Sequence, residues 1–409
     1  MGIPTPLVEI GFDLTEAGTG PFLRLDDPIA GKLDSAEWTL GGTIFYDVTN
    51  KVRSIVIQRG KNRLLDNYDP GLCNVVFNNN DRTFDPEFAA SPYYGQIIPK
   101  RSIRISSNGV NTFTGVIDDW SLQYSPDGDS IASSAASDAL VYFASQTLSA
   151  RTSTVQKSGE RVAEILADPS VNWPASDSDI ETGETTLGAD VVPESQNVLS
   201  YLRTITKSEP GSLFISKSGD VVFRDRRTAP TSGGLIFSDE GTNIPYQNLE
   251  ISYGSEYLHN QISITSEIAG TATASDSDSI GEYGVINFTQ SSLLIDTLTD
   301  TQALADYYAS KFSQPEYRFE SVDVTLVRLS SEEQAAVLAL EIGTVVEIRF
   351  TPNGIAPAIS KFAEIIRIDH NVDPQNHLVS FGFSTLDYAL LVLDDTTFGK
   401  LDSGNALAF

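Results

Sequence analysis

One β unit is written twice along this chain, and that duplication limits the fold more than any other feature. The segment from Lys100 to Phe143 and the segment from Thr344 to Leu391 share a skeleton in the same order. Each opens on a strand end of the form Ile-Arg-Ile or Ile-Arg-Phe, Ile103 to Ile105 and Ile348 to Phe350. A turn ending in Asn-Gly follows, at Asn108-Gly109 and at Asn353-Gly354. The next strand runs through Val116-Ile117-Asp118 in one copy and Ile366-Arg367-Ile368-Asp369 in the other. A turn around Pro126-Asp127-Gly128, or around Asp373-Pro374-Gln375, leads to a third strand. Each copy closes on a variant of Asp-x-Ala-Leu, Ser137-Asp138-Ala139-Leu140 and Leu386-Asp387-Tyr388-Ala389-Leu390. Asn-Gly between alternating apolar runs is a strong hairpin signal, because both turn residues must adopt positive φ. The repeat predicts two copies of one antiparallel β unit.

A second repeat lies outside these units. Leu25 to Ser35 reads LDDPIAGKLDS and Leu393 to Ser403 reads LDDTTFGKLDS, identical at eight of eleven positions. A match of that length predicts a short peptide that docks twice into one kind of site. The first copy is expected ahead of its β unit and the second after it, so the phrase is not part of the duplicated unit.

The 409 residues allow two to four domains. Apolar residues at 40% and aromatics at 9% describe a globular chain. The start MGIPTPLVEIGFDL lacks the basic and apolar regions of a secretion signal, and Pro6 breaks the myristoylation pattern. No apolar run approaches the roughly 20 residues of a membrane-spanning helix. The single cysteine, Cys73, sits in a strand pattern and reads as a small buried hydrophobe. With 27 basic against 55 acidic residues the net charge is −28, which excludes a specific nucleic-acid binder with a basic footprint. Two readings of the charge stay open: solubility by self-repulsion, or a channel wall that a polyanion slides past without adhering.

Along the chain, residues 1–42 read as an N-terminal arm and residues 43–150 as the first β domain. Residues 151–244 change character. Glu160 to Ala167 and Ser195 to Lys207 have helical spacing, and a hairpin joins Leu213-Phe214-Ile215-Ser216 to Val221-Val222-Phe223-Arg224. This helix-helix-hairpin unit is an α+β insertion. Residues 245–390 form the second β domain with helical insertions at Thr301 to Phe312 and Ser330 to Leu340, and residues 391–409 form a C-terminal tail. The low-complexity stretch Ala269 to Ser279 reads as an exposed loop tip.

Catalytic patterns are missing from the sequence. His259, His370 and His377 form no His-x-x-x-His pair and read as surface or edge histidines; no Gly-x-Ser-x-Gly elbow is present. The adjacent acids Asp26-Asp27, Asp118-Asp119 and Asp394-Asp395 suggest a glycosidase or Ca²⁺ site, but neighbours in a strand point to opposite faces. Asp177-Ser178-Asp179 and Asp276-Ser277-Asp278 have a D-x-D spacing without the Gly and distal Glu of an EF-hand loop. No metal and no cofactor is expected.

The block from Asp47 to Tyr142 resembles the first barrel of bacteriophage tail hub proteins, the minor tail proteins that form baseplate hubs and siphophage tail-associated hubs. The matching phrases are Asp47-Val48-Thr49 with Val52-Arg53-Ser54-Ile55 and Arg59-Gly60; Val75 to Pro86; Ser91-Pro92-Tyr93-Tyr94; and Phe113-Thr114-Gly115-Val116-Ile117. The hairpin ending Gly219-Asp220-Val221-Val222-Phe223-Arg224-Asp225-Arg226 and the later Leu340-Glu341-Ile342-Gly343-Thr344-Val345-Val346 are also similar to that family. The resemblance implies a mainly β fold with two duplicated tube-like β-barrels per subunit and the α+β insertion between them. It implies a homotrimer whose six barrels join a sixfold tail tube or distal tail ring to a threefold tip. The implied partners are a distal tail protein, tip or fibre proteins and the end of a tape-measure protein, with DNA only in transit. The implied location is the virion tail tip, assembled in the bacterial host cytoplasm, and the implied role is structural, not enzymatic. Larger family members carry wall-cleaving or receptor-binding extensions; this chain stops about twenty residues after its second unit, so that activity is not expected.

Within that reading the doubled phrase becomes a docking or subunit-interface element. Its first copy offers Leu25, Asp26, Asp27, Gly31, Lys32, Leu33 and Asp34, and its second Leu393, Asp394, Asp395, Gly399, Lys400, Leu401 and Asp402. The leucines would anchor and Gly-Lys-Leu-Asp would give the turn and polar contacts; two similar loops without a shared site are the alternative. Two other functions compete with the hub. A distal tail protein would form a sixfold ring with one barrel per chain, which the duplication disfavours. A host-envelope glycan-binding or peptidoglycan-cleaving protein would show binding or catalytic release of wall fragments.

Overall fold

The computed structural model describes residues 2–12, 44–226, 231–241 and 243–385. Both copies of the doubled phrase lie outside the described residues, with every docking position from Leu25 to Asp34 and from Leu393 to Asp402.

The first unit comprises β1 (Pro6–Phe12), β2 (Ile44–Asp47), β3 (Val52–Gly60), β4 (Asp69–Asn78), β5 (Ser102–Ser107), β6 (Val110–Gln123) and β7 (Ile131–Ser137). The insertion that follows holds α1 (Ala139–Ser145), α2 (Ser158–Leu166) and α3 (Val198–Ser208). With them comes a small sheet of β8 (Ser178–Ile180), β9 (Ser212–Ile215) and β10 (Val221–Arg224). The second unit has β11 (Thr231–Ser238), β12 (Asn248–Gly254), β16 (Glu316–Thr325), β17 (Thr344–Phe350), β18 (Ile359–Asp373) and β19 (Asn376–Thr385), with α6 (Ser331–Ala339) before β17. Between β12 and β16 lies a small subdomain: β13 (Gln261–Ser266), β14 (Gly270–Ser275), α4 (Ser277–Tyr283), β15 (Asn287–Leu293) and α5 (Leu298–Phe312).

The duplication is present in the strand order. The first unit pairs in the order β3-β4-β7-β6-β5-β1, and the second in the order β12-β16-β19-β18-β17-β11. Both Asn-Gly turns adopt the expected left-handed pair, Asn108 at φ 50° with Gly109 at 77° and Asn353 at 52° with Gly354 at 70°. A bulge interrupts the long strand at the same place in each copy, between Ile117 and Asp119 on β6 and between Ile365 and Arg367 on β18. One link differs: β1 runs antiparallel to β5, whereas β11 runs parallel to β17.

Alternation decides which side of each strand is buried. On β4, Cys73, Val75 and Phe77 face inward while Leu72, Asn74 and Asn78 face out. Strands from both ends of the first unit, Val8, Ile10 and Phe12 on β1 and Ile55 and Ile57 on β3, enter one cluster, so this half of the sheet curls round its own core. The second unit encloses a separate cluster built on Phe237, Phe319, Val322, Ile365, Phe381 and Phe383. The insertion has a third core and the subdomain a fourth. Among the described residues, no ladder between β2 and β3 closes the first unit. Instead the two units join, β3 pairing antiparallel with β18, to give one thirteen-stranded sheet.

Four sequence expectations are corrected. Residues 6–12 belong not to an arm but to the first sheet, as β1 pairs with β2 and β5; the first doubled phrase therefore falls inside its unit, between β1 and β2. The second unit begins with β11 at Thr231, not at 245, because that strand pairs with β17. Ala269 to Ser279 is no loop tip: Gly270–Ser275 is a strand, and Asp276 caps α4 by accepting from the amides of Asp278 and Ser279, each at 3.0 Å. His370 and His377 are not surface residues; both are buried.

Candidate functional surface

Where β3 meets β18 the sheet passes without a break from one unit to the other. Opposed pairs across this seam are Val56 with Asn371, Gln58 with Asp369 and Gly60 with Arg367. Gly60 has φ +118°, and a Cβ there would sit 2.2 Å from the Ile366 carbonyl oxygen. Only glycine permits that approach.

Side chains on the face away from the two cores form rows across the strands. One row runs Leu72, Gln58, Asp369, Ser380, Asp323 and Asn248. A second runs Asn74, Val56, Asn371, Leu378 and Thr325, and a third Gly60, Arg367, Gly382, Ser321 and Glu250. On the first unit Asp119, Ser121 and Gln123 of β6 continue the same polar face. Neutral polar groups dominate, with four acids (Asp119, Glu250, Asp323, Asp369) against the one cation Arg367 in these rows. Ser380 donates its hydroxyl to Asp323 at 2.5 Å, and Arg367 lies 3.2 Å from Asp369. Partial burial pushes the Asp369 carboxyl up to about 6; Arg367 opposes that shift and Asp323 adds to it.

Behind the seam, one carboxylate ties three parts of the molecule together. Arg59 of β3 donates to Glu341 at 2.7 Å and to the Ile215 carbonyl of the insertion at 2.8 Å. Glu341, just before β17, accepts in turn from the Lys217 amide at 2.8 Å and from the Ile342 amide at 2.9 Å. The Lys217 ammonium meanwhile donates to the last carbonyls of α6, Leu338, Ala339 and Leu340. Beside this joint the rings of His370 and His377 meet, Nδ1 to Nε2 at 3.0 Å, with His377 fully buried. Burial brings His377 down to about 4. It holds His370 well below the ordinary imidazole range as well, helped by His377, Arg59 and Lys217. The sequence signal was available: Ile368, His370 and Val372 share one side of β18, and that side is apolar.

The other candidates from the sequence resolve into structural roles. Asp118 occupies the β6 bulge and is bound by Lys100 at 2.6 Å and by the Ser137 hydroxyl, so it does not act as a pair with exposed Asp119. Asp179 is held by Arg224, and Asp276 is a helix cap. The arginines at the end of the β9–β10 hairpin are paired in place, Arg224 with Asp179 and Glu181 and Arg226 with Glu209 at 3.9 Å. Asp26-Asp27 and Asp394-Asp395 lie outside the described residues. Among the described residues, no group of three or more His, Cys, Asp or Glu side chains is arranged to hold a metal, and no helix is long and apolar enough to cross a membrane. Cys73 is buried, and burial raises its thiol above the usual range. A cleft of about 250 Å³ opens beside the Gly60 end of the seam, and its lining balances Lys61, Arg318 and Arg367 against Glu250, Glu316 and Glu320.

No family profile matches this chain, and no curated protein is similar to it in sequence. Its fold does have solved counterparts. The chain is similar to a tail protein from Neisseria meningitidis MC58 at TM-score 0.60 and 11% identity, over 95% of this chain and 97% of that one. It is likewise similar to the 43 kDa tail protein of prophage MuSo2 from Shewanella oneidensis at TM-score 0.57 and 15% identity, over 93% and 96% of the two chains. Over most of its length the chain thus has the fold of these tail proteins, the fold type expected of a tail hub.

Proposed function

We propose that this chain is a structural hub of a phage or phage-like tail tip: a trimer whose six β units form a ring between a sixfold tube or distal tail ring and a threefold tip. The observation that carries this reading is the duplicated strand order joined in one sheet with a single polar face. A subunit with two like units side by side turns three copies into six like positions, which is what an adaptor between threefold and sixfold partners needs. In this ring each unit completes a barrel-like wall, and the polar face lines the passage. Acids outnumber cations on it, so DNA in transit would meet few counter-charges to hold its phosphates. The insertion would stand outside and meet distal, tip or fibre proteins. The two doubled phrases would fasten the ring, with Leu25, Leu33, Leu393 and Leu401 as anchors. The tail tip is the corresponding location in the virion.

The test is an image of particles carrying a tagged chain, with the symmetry of the labelled layer. Three copies at the tube's distal end are expected. Six copies in one ring would point to a distal tail protein. Release of wall fragments by the isolated chain would point to an envelope enzyme. A passage lined with Lys and Arg would refute the proposed route for DNA.

A further inference from the structure

The seam inside the chain has a counterpart with no partner strand. Among the described residues, the unpaired edges of the large sheet include β12, which bonds only to β16, and the second half of β6, which bonds only to β7. These are the equivalents of the two strands that form the internal seam. By strand order β12 corresponds to β3 and β6 to β18. The shared bulge aligns Asp119 with Arg367, and β12 ends in Gly254 as β3 ends in Gly60.

We infer that β6 of one copy pairs antiparallel with β12 of the next, repeating between chains the β3–β18 seam found within the chain; this rests on the ring proposed above. Transferring the internal register sets Trp120 opposite Tyr253, Ser121 opposite Ser252 and Leu122 opposite Ile251 of the neighbouring copy. Every pair is compatible: aromatic with aromatic, hydroxyl with hydroxyl, aliphatic with aliphatic, and no like charges meet. Both edges also carry large side chains left open in the single chain. Tyr253 is 69% exposed and Tyr124, just past β6, is 51% exposed. Trp120 is already fixed against Phe77 and Phe84, at ring distances of 6.0 and 5.8 Å, so one half of the contact is preorganised. Meanwhile the Trp120 amide donates to its neighbour Asp119 at 2.9 Å rather than to a strand. Joining different edges of successive copies is a head-to-tail contact, which closes into a ring when the rotation allows.

Gly254 gives the sharpest test. A Cβ there meets nothing within 4 Å in the single chain, whereas at the equivalent Gly60 it would collide with the partner backbone at 2.2 Å. Gly254→Val in the full chain is therefore expected to leave the far-UV circular dichroism of the protein unchanged while converting trimer to monomer in sedimentation velocity. The double variant Ser121→Cys/Ser252→Cys should oxidise to covalent species that stop at three chains. The pair Asp119→Cys/Glu250→Cys, about 13 Å out of register at roughly 3.3 Å per residue, should not cross-link. A trimer that tolerates Gly254→Val and gives no Ser121–Ser252 bridge would overturn this seam and leave the ring standing on another contact. A wild-type chain that stays monomeric, or forms a twofold dimer, would overturn both.

Discussion

Replacing His377 with Gln isolates the effect of pH on the joint between the two units. The ring is fully buried, its Nε2 meets His370 Nδ1, and among the described residues its Nδ1 has no hydrogen-bond partner. Burial lowers its pKa from 6.5 to about 4, so the folded protein holds it neutral. Its contribution is therefore complete above pH 6.5 and is lost as the pH falls toward 4. At 1.36 kcal/mol per pKa unit the whole effect is about 3 kcal/mol, and about 2 kcal/mol of it is already lost at pH 5. His370 acts in the same direction, since a second buried proton would sit beside Arg59 and Lys217. Asp138 and Asp369 act the opposite way. Burial pushes both up to about 6, so each gains stability on acidification. His377→Gln cancels those acids in the comparison, because both proteins carry them, and the glutamine amide can donate to or accept from His370 Nδ1. Urea unfolding at pH 7.5 and at pH 5 should show the wild type losing about 2 kcal/mol more than the variant. The three imidazoles can also be followed individually by NMR from pH 8 to 4. A His377 ring titrating near 6.5, or a pH-independent gap between the two proteins, would refute the reasoning that burial keeps the ring neutral.

Three further outcomes follow from the seam and the cores. Gly60→Ala forces a methyl group into the Ile366 carbonyl at a φ that alanine avoids, and is expected to cost 3 kcal/mol or more, roughly the upper range for a strained backbone site, read as a lowered melting temperature. Arg59→Met leaves Glu341 without its cation; the loss should be about 3 kcal/mol, the low end for breaking a buried pair, because Glu341 keeps some exposure, and Glu341→Gln in the same chain should recover part of it. Cys73 should resist thiol reagents in the folded protein and react only after denaturation, so rapid labelling under native conditions would contradict its burial in β4.

What the sequence disclosed and what it hid divide by the distance of the contacts. The Asn-Gly turns, the helical spacing of α3 and the β9–β10 hairpin are all local patterns, and each stands where it was expected. The role of Pro6–Phe12 was hidden because its partner Ser102–Ser107 is far away in the chain and pairing across such a gap leaves no period behind. The same holds for the seam, where Val56 meets Asn371. Ala269 to Ser279 misled for a different reason: its small polar residues look like a loop, yet Ala272 packs under α5 while its neighbours stay exposed on a two-sided strand. The polar face could be read only after the rows were known, since Gln58, Asp369 and Asp323 become neighbours through register alone.

The Glu341 joint has a mechanical consequence. Its carboxylate is grasped at once by Arg59 from the first unit and by the Lys217 amide from the insertion, while its own backbone leads directly into β17. A pull on the hairpin tip therefore reaches both β units through one side chain, and neither unit can swing away without releasing the other's hold. In the ring proposed above, a tug from an outer protein would be shared across both units instead of peeling a single domain away.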